Sequence, residues 1–94
     1  MITIKQIAKD KKTKFVDVRS SMEYSTGHLH GAVNIPLDQL PARTNEIEGL
    51  GNIPVIFYCR SGNRSGMAVS MLQQQGIKDI YNGGSLEEVQ YLLN

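Results

Sequence analysis

The apolar run Pro54-Val55-Ile56-Phe57-Tyr58, followed at once by Cys59-Arg60-Ser61-Gly62-Asn63-Arg64, constrains this chain most. The run reads as a buried strand, and Ser65 to about Gln75 reads as a helix. A thiol therefore stands at a strand end, in a tight loop that turns directly into a helix. Backbone N–H groups converge in such a turn and carry uncompensated positive partial charge, which makes an anion cradle. The same field favours a thiolate and brings a cysteine pKa from about 8.5 into roughly the 3.5–7.5 range. Arg60 and Arg64 add full charges, while Gly62 and Gly66 permit close approach or unusual backbone angles. A lone cysteine after an apolar strand is otherwise a small, inert hydrophobe. Two arginines and two glycines beside it serve no such core residue, so Cys59 reads as reactive.

A chain of 94 residues makes one domain, residues 1–94, with a single core. Its net charge of +1 lacks the basic excess of a nucleic-acid or membrane-surface binder. The cluster Lys9, Lys11, Lys12 and Lys14 reads as a solvated helix end and loop. The first residues lack the apolar core and small-residue cleavage site of a signal peptide. No apolar run approaches the roughly 20 residues of a membrane span. A single cysteine makes no internal disulfide, and a free thiol fits a reducing compartment, so the cytoplasm is expected. No second cysteine can resolve a modified Cys59 either, so its acceptor must come from outside this chain.

In chain order, Thr3-x-x-Gln6 is a capping box that opens a short helix over about 3–10. Residues 15–18 form a strand ending at Arg19, and Ser20-x-x-Glu23 caps a second short helix to about Ser25. Residues 27–31 make a turn, and 32–35 a strand stopped by Pro36. A short helical segment follows near Asp38, with Pro41 in its first turn. Beyond the strand at 54–58, the helix places Met67, Ala68, Met71, Leu72 and Gln75 on one side, read as a core face. Residues 79–81 are a strand, Asn82-Gly83-Gly84 a turn, and Ser85-x-x-Glu88 caps a last helix. Alternating strands and helices predict an α/β fold, a mostly parallel sheet with helices on both faces. Sites in such sheets form at the carboxyl ends of strands, just where Arg19 and Cys59 fall.

Four segments together resemble the rhodanese-like, single-domain sulfurtransferases. They are Val16-Asp17-Val18-Arg19 with Glu23; Gly27-His28-Leu29-His30-Gly31-Ala32-Val33-Asn34-Ile35-Pro36; Tyr58 through Ser65; and Tyr81-Asn82-Gly83-Gly84. Their order and spacing match the family over roughly residues 2–93. The chain departs from the family after the glycine pair, where Ser85-Leu86-Glu87-Glu88 stands in place of a segment that often carries tryptophan. The resemblance implies a five-stranded parallel sheet flanked by helices. It also implies a thiosulfate sulfurtransferase activity without a cofactor. Cys59 would be the nucleophile, and N–H groups of Arg60, Ser61, Gly62, Asn63 and Arg64 would hold its persulfide. Arg60 and Arg64 are candidates for the donor's sulfonate oxygens. For Arg64 an equal reading is structural, a carboxylate tying it so as to fix the loop. Asp17, Arg19 and Glu23 read as a supporting ion-pair network.

Loop length separates this chemistry from its neighbour. Arg64 closes a Cys-x4-Arg loop, whereas tyrosine and dual-specificity phosphatases use Cys-x5-Arg. A ring of donors around one sulfur is narrower than one around a phosphate, so a persulfide fits better. The expected partners are a small-molecule sulfur donor and a thiol acceptor, or a sulfur-accepting protein, with neither nucleic acid nor membrane. The alternative is a sulfur-carrier module loaded and unloaded by partner proteins. A non-catalytic interaction domain would have no need of the cysteine and both loop arginines. His28 and His30 invite a metal reading, but residues two apart diverge if extended and a structural site needs four ligands, so no metal is expected.

Overall fold

A computed structural model describes residues 1–94. Three of its helix starts are dictated by local chemistry. At Thr3, Ser20 and Ser85 the hydroxyl accepts a backbone N–H three residues on, while Gln6, Glu23 and Glu88 each reach back to the cap's own N–H. These reciprocal boxes open α1 (Ile4–Lys9), α2 (Ser21–Ser25) and α5 (Leu86–Leu92). Between α2 and the central strand, a 3-10 turn at Leu37–Gln39 leads into α3 (Leu40–Arg43), with Pro41 in its first turn, and then a 3-10 turn at Thr44–Glu46.

The strands are β1 (Lys14–Asp17), β2 (Val33–Asn34), β3 (Val55–Cys59) and β4 (Ile80–Ser85). They form one sheet in the order β2-β1-β3-β4, with every neighbouring pair parallel. The expected range 15–18 is displaced by one residue from β1 and 32–35 exceeds β2, yet Val18 still donates to the Tyr58 carbonyl and Ile35 to that of Asp17. The sheet has four strands rather than the five that the resemblance implied. The capping box at Thr3 draws Ile4 and Ile7 into a helix, and residues 37–46 are spent on helical turns, so no further extended segment reaches an edge.

β3 is buried along its whole length. Its side chains alternate between two cores. Val55, Phe57 and Cys59 join Val16, Val18, Ile35, Leu40, Ala68 and Leu72 on the side of α4 (Asn63–Gln74). Tyr58 joins Leu29, Ala32 and Val89 on the side of α5. Helices thus cover both faces, as expected, and each fully buried Leu, Val or Phe contributes about 1.5–3 kcal/mol.

Two expectations need correction. On α4 the buried face is Ser65, Ala68, Val69 and Leu72, while Met67 is 62% exposed and Gln75 lies at the surface. The apolar stripe runs one row away from Met67, because the small residues Ser65 and Ala68 let the helix approach the sheet. Residues 82–84 are not a turn but part of β4. Their glycines serve a bulge: Asn82 pairs with Phe57 and Gly84 with Tyr58, and Gly84 takes φ +89°.

Gly83 has no room for a side chain, since a Cβ there would lie 2.6 Å from Ile56 Cγ2 and 2.8 Å from Val89 Cγ2. Gly83→Ala is expected to lose about 1–3 kcal/mol through overpacking, read as a lower urea midpoint at unchanged slope. A wild-type midpoint would show that α5 is not packed this tightly.

Candidate functional site

β3 carries Cys59 at its last residue, with no exposed surface. The chain then turns through Arg60 and Ser61 to Gly62, which takes φ +92° and precedes the first turn of α4. Only glycine suits that angle, and a Cβ would also lie 3.3 Å from the Gly84 Cα. The turn aims the Gly62 N–H at Cys59 Sγ, at 3.0 Å. The Ser65 hydroxyl lies 3.4 Å from the same sulfur. Burial pushes the Cys59 thiol up, but the Ser65 hydroxyl and the N–H groups of Ser65, Ser61 and Gly62 pull it down further, leaving it below its ordinary value. The N–H groups of Arg60, Ser61, Asn63 and Arg64 donate to no backbone carbonyl. These amides of the turn are thus free of carbonyl partners, beside the Gly62 N–H that meets the sulfur.

The two loop arginines differ. Arg64 is bound bidentately to Glu23, at 2.7 and 2.9 Å, so a carboxylate does tie it, and this links α4 to α2. The Arg64 guanidinium and the Ser20 cap hold the Glu23 carboxyl down at about 2. Arg60 is exposed and makes neither ion pair nor hydrogen bond. Asp17, Arg19 and Glu23 do not form one network. Asp17 and Arg19 pair with each other in the interior, at 2.7 Å, and Arg19 also donates to the Gly27 carbonyl. Arg19 lies 5.8 Å from the Tyr58 ring centre, and Tyr58 accepts the Leu29 N–H. That pair stiffens the end of β1 beside the site.

Ser61, Gly62 and Asn63 form one wall of an open cleft of about 690 Å³, with Glu87 and Tyr91 of α5 opposite. His28 is exposed, stacks on Tyr24 at 3.6 Å and contacts the Tyr24 carbonyl through Nδ1, while His30 is exposed in the turn that follows Leu29. Two contributors escaped the reading of the sequence, Ser65 and Asn82. The Ser65 hydroxyl donates to Asn82 Oδ1 at 2.7 Å. A serine on the otherwise apolar face of α4 was the available signal for the first. Asn82 was hidden by the glycines that follow it.

The rhodanese-like domain family matches residues 3–90 of this chain. The chain is 44% identical over 72 residues to the Bacillus subtilis protein YqhL, covering 77% of this chain and 56% of that one. It is 33% identical over 75 residues to the thiosulfate sulfurtransferase PspE of Escherichia coli, covering 80% of this chain and 72% of that protein. Among solved structures it superposes on a rhodanese with anions from E. coli with a TM-score of 0.75 at 33% identity, covering 81% of this chain and 89% of the other. The chain spans about half or less of the length of the first curated relatives it matches. No helix is long and apolar enough to cross a membrane.

Two titrations follow from the geometry. The ultraviolet absorbance of the Cys59 thiolate, read against Cys59→Ser, is expected to rise with a midpoint below the ordinary value of about 8.5; an ordinary midpoint would mean that the donors do not act on the sulfur. The depressed Glu23 carboxyl contributes stability that is full above its ordinary 4.5 and is lost as the pH falls toward about 2. Glu23→Gln is therefore expected to be less stable than wild type near neutrality and to approach it below pH 4.5. Parallel stability curves across that window would contradict the pairing.

Proposed function

Because the chain belongs to the rhodanese-like family, we propose that it is a sulfurtransferase that moves sulfane sulfur from thiosulfate or a similar donor to a thiol or cyanide through a Cys59 persulfide. The Cys59 thiolate attacks the outer sulfur of thiosulfate, the S–S bond breaks, and its electron pair leaves with sulfite. Cys59 then carries one extra sulfur as an anion. An acceptor thiolate attacks that outer sulfur and leaves as its own persulfide, or cyanide leaves as thiocyanate, and the Cys59 thiolate returns. This is covalent, ping-pong catalysis in which sulfur alone changes partners, and it calls for no cofactor.

The observation that carries the reading is the Gly62 N–H at 3.0 Å from Cys59 Sγ, within a loop whose other amides are unspent. Fixed donors stabilise an anion without reorganising at each turnover. The enclosure of Cys59 favours a slim donor such as thiosulfate over a bulky one. Arg60, exposed and unpaired, is the residue we assign to the donor's sulfonate. Arg64 acts instead by holding the loop, its guanidinium already committed to Glu23. The acceptor is a small thiol, or a sulfur-accepting protein with its thiol at the cleft. A single free thiol at the site suits a reducing compartment, and the cytoplasm is the compartment we assign to this reaction. Residues 1–94 act as one domain in this scheme.

Incubation with thiosulfate is expected to add the mass of one sulfur atom, removable by cyanide or a thiol, and Cys59→Ser is expected to abolish the gain. Arg60→Ala is expected to raise the KM for thiosulfate while leaving loading at saturation within a few-fold. Hydrolysis of an aryl phosphate should be negligible, because the ring is one residue too short. A protein that never gains sulfur but cleaves aryl phosphate at enzymic rates would defeat the proposal.

A further inference from the structure

Asn82 stands on β4, outside the loop, yet its side chain meets both groups that hold the sulfur. Its Nδ2 donates to the Gly62 carbonyl at 3.0 Å, and its Oδ1 accepts the Ser65 hydroxyl at 2.7 Å and the Gly84 N–H at 2.9 Å. Gly62 and Ser65 are in turn the residues at 3.0 and 3.4 Å from Cys59 Sγ. We infer that Asn82 is a positioning residue for the sulfur chemistry, one amide that fixes the Gly62 peptide and the Ser65 hydroxyl against Cys59. The inference rests on the sulfurtransferase reading only for its consequence in transfer, not for the contacts themselves.

The need for an amide follows from the donor and acceptor inventory. The Gly62 carbonyl requires a donor and the Ser65 hydroxyl an acceptor, and a carboxamide presents both from one flat group. A carboxylate accepts only, and would repel the Gly62 carbonyl. Gly62 has the wide backbone freedom of its residue type, so its φ of +92° must be held from outside. The Gly66 N–H and Asn82 Nδ2 both donate to its carbonyl and hold it. Gly66 also makes room for the amide, since a Cβ there would lie 3.2 Å from Asn82 Nδ2.

The Ser65 hydroxyl has one hydrogen and two neighbours that can accept it. With Cys59 neutral, the hydroxyl donates to Asn82 and its oxygen accepts the thiol hydrogen. When Cys59 is ionised or carries a second sulfur, the hydroxyl turns its hydrogen to sulfur, and Asn82 Oδ1 keeps the Gly84 N–H. Asn82 therefore holds the Ser65 hydroxyl while the thiol is neutral and yields its hydrogen to sulfur once Cys59 is charged, while its Nδ2 keeps the Gly62 peptide in place throughout.

Asn82 is exposed, so its replacement spares the core. The test compares Asn82→Ala and Asn82→Asp with wild type by the Cys59 thiolate midpoint, by the rate of sulfur gain from thiosulfate, and by circular dichroism. Asn82→Ala is expected to raise the midpoint and slow sulfur gain about tenfold, as donors moved by a fraction of an ångström lose their aim. Asn82→Asp is expected to do the same although it keeps an acceptor for Ser65, since it cannot donate to Gly62. A folded Asn82→Ala with the wild-type midpoint and loading rate overturns the inference; if that variant does not fold, Asn82→Asp is read by the same criterion. If wild type gains no sulfur at all, the sulfurtransferase reading fails, and the midpoints still decide the role of Asn82.

Discussion

A sulfur anion at the end of a strand closed on all sides has no water to solvate it, so the protein must supply the solvation. Cys59 has no exposed surface, and β3 is buried at every residue. Burial alone would keep the thiol protonated and inert. The Gly62 N–H, the Ser65 hydroxyl and the amides at the start of α4 reverse that balance. Much of the surrounding structure can be understood as what keeps those donors in place. The parallel sheet sets Cys59 at its carboxyl edge, α4 brings its first turn over the sulfur, and β4 bulges where the loop approaches Gly84.

Two ion pairs brace this arrangement from different sides. Arg64 and Glu23 tie the first turn of α4 to α2 across the top of the sheet, each oxygen of the carboxylate meeting one nitrogen of the guanidinium. Being partly exposed, that pair is worth less than its geometry suggests, and its value lies in fixing a direction for the loop. Asp17 and Arg19 form the buried counterpart at the end of β1. Asp17 Oδ1 also accepts the Arg19 N–H, so both carboxylate oxygens are hydrogen-bonded, and Asn34 Nδ2 donates to the backbone carbonyls of both residues. Removing one partner of such a pair typically costs about 3–5 kcal/mol, chiefly because the other charge is left unpaired.

Much of this was legible in the chain because it is local chemistry. Thr3, Ser20 and Ser85 each carry a matching Gln or Glu three residues on, and a capping box needs nothing from the rest of the fold. Cys59 was legible because arginine and glycine around a thiol have few other uses. What was not legible depends on pairing across the fold. Asn82-Gly83-Gly84 has the composition of a turn, yet becomes strand because Gly83 must pass beneath Ile56 and Val89. The rotation of α4 that exposes Met67 is set by how closely Ser65 and Ala68 approach the sheet. The pairing of Asn82 with Ser65 spans 17 residues and that with Gly62 spans 20, and no local pattern announces either.

A sulfurtransferase of the proposed kind has its loop already shaped, before reaction, for one additional sulfur. A crystal structure of the thiosulfate-treated protein tests it most directly. Electron density is expected for one atom beyond Cys59 Sγ, within hydrogen-bonding distance of amides between Arg60 and Arg64, with Gly62 and the Asn82 contacts unmoved. Density for the added sulfur pointing out to solvent, or a loop that must rebuild itself to hold it, would contradict the claim.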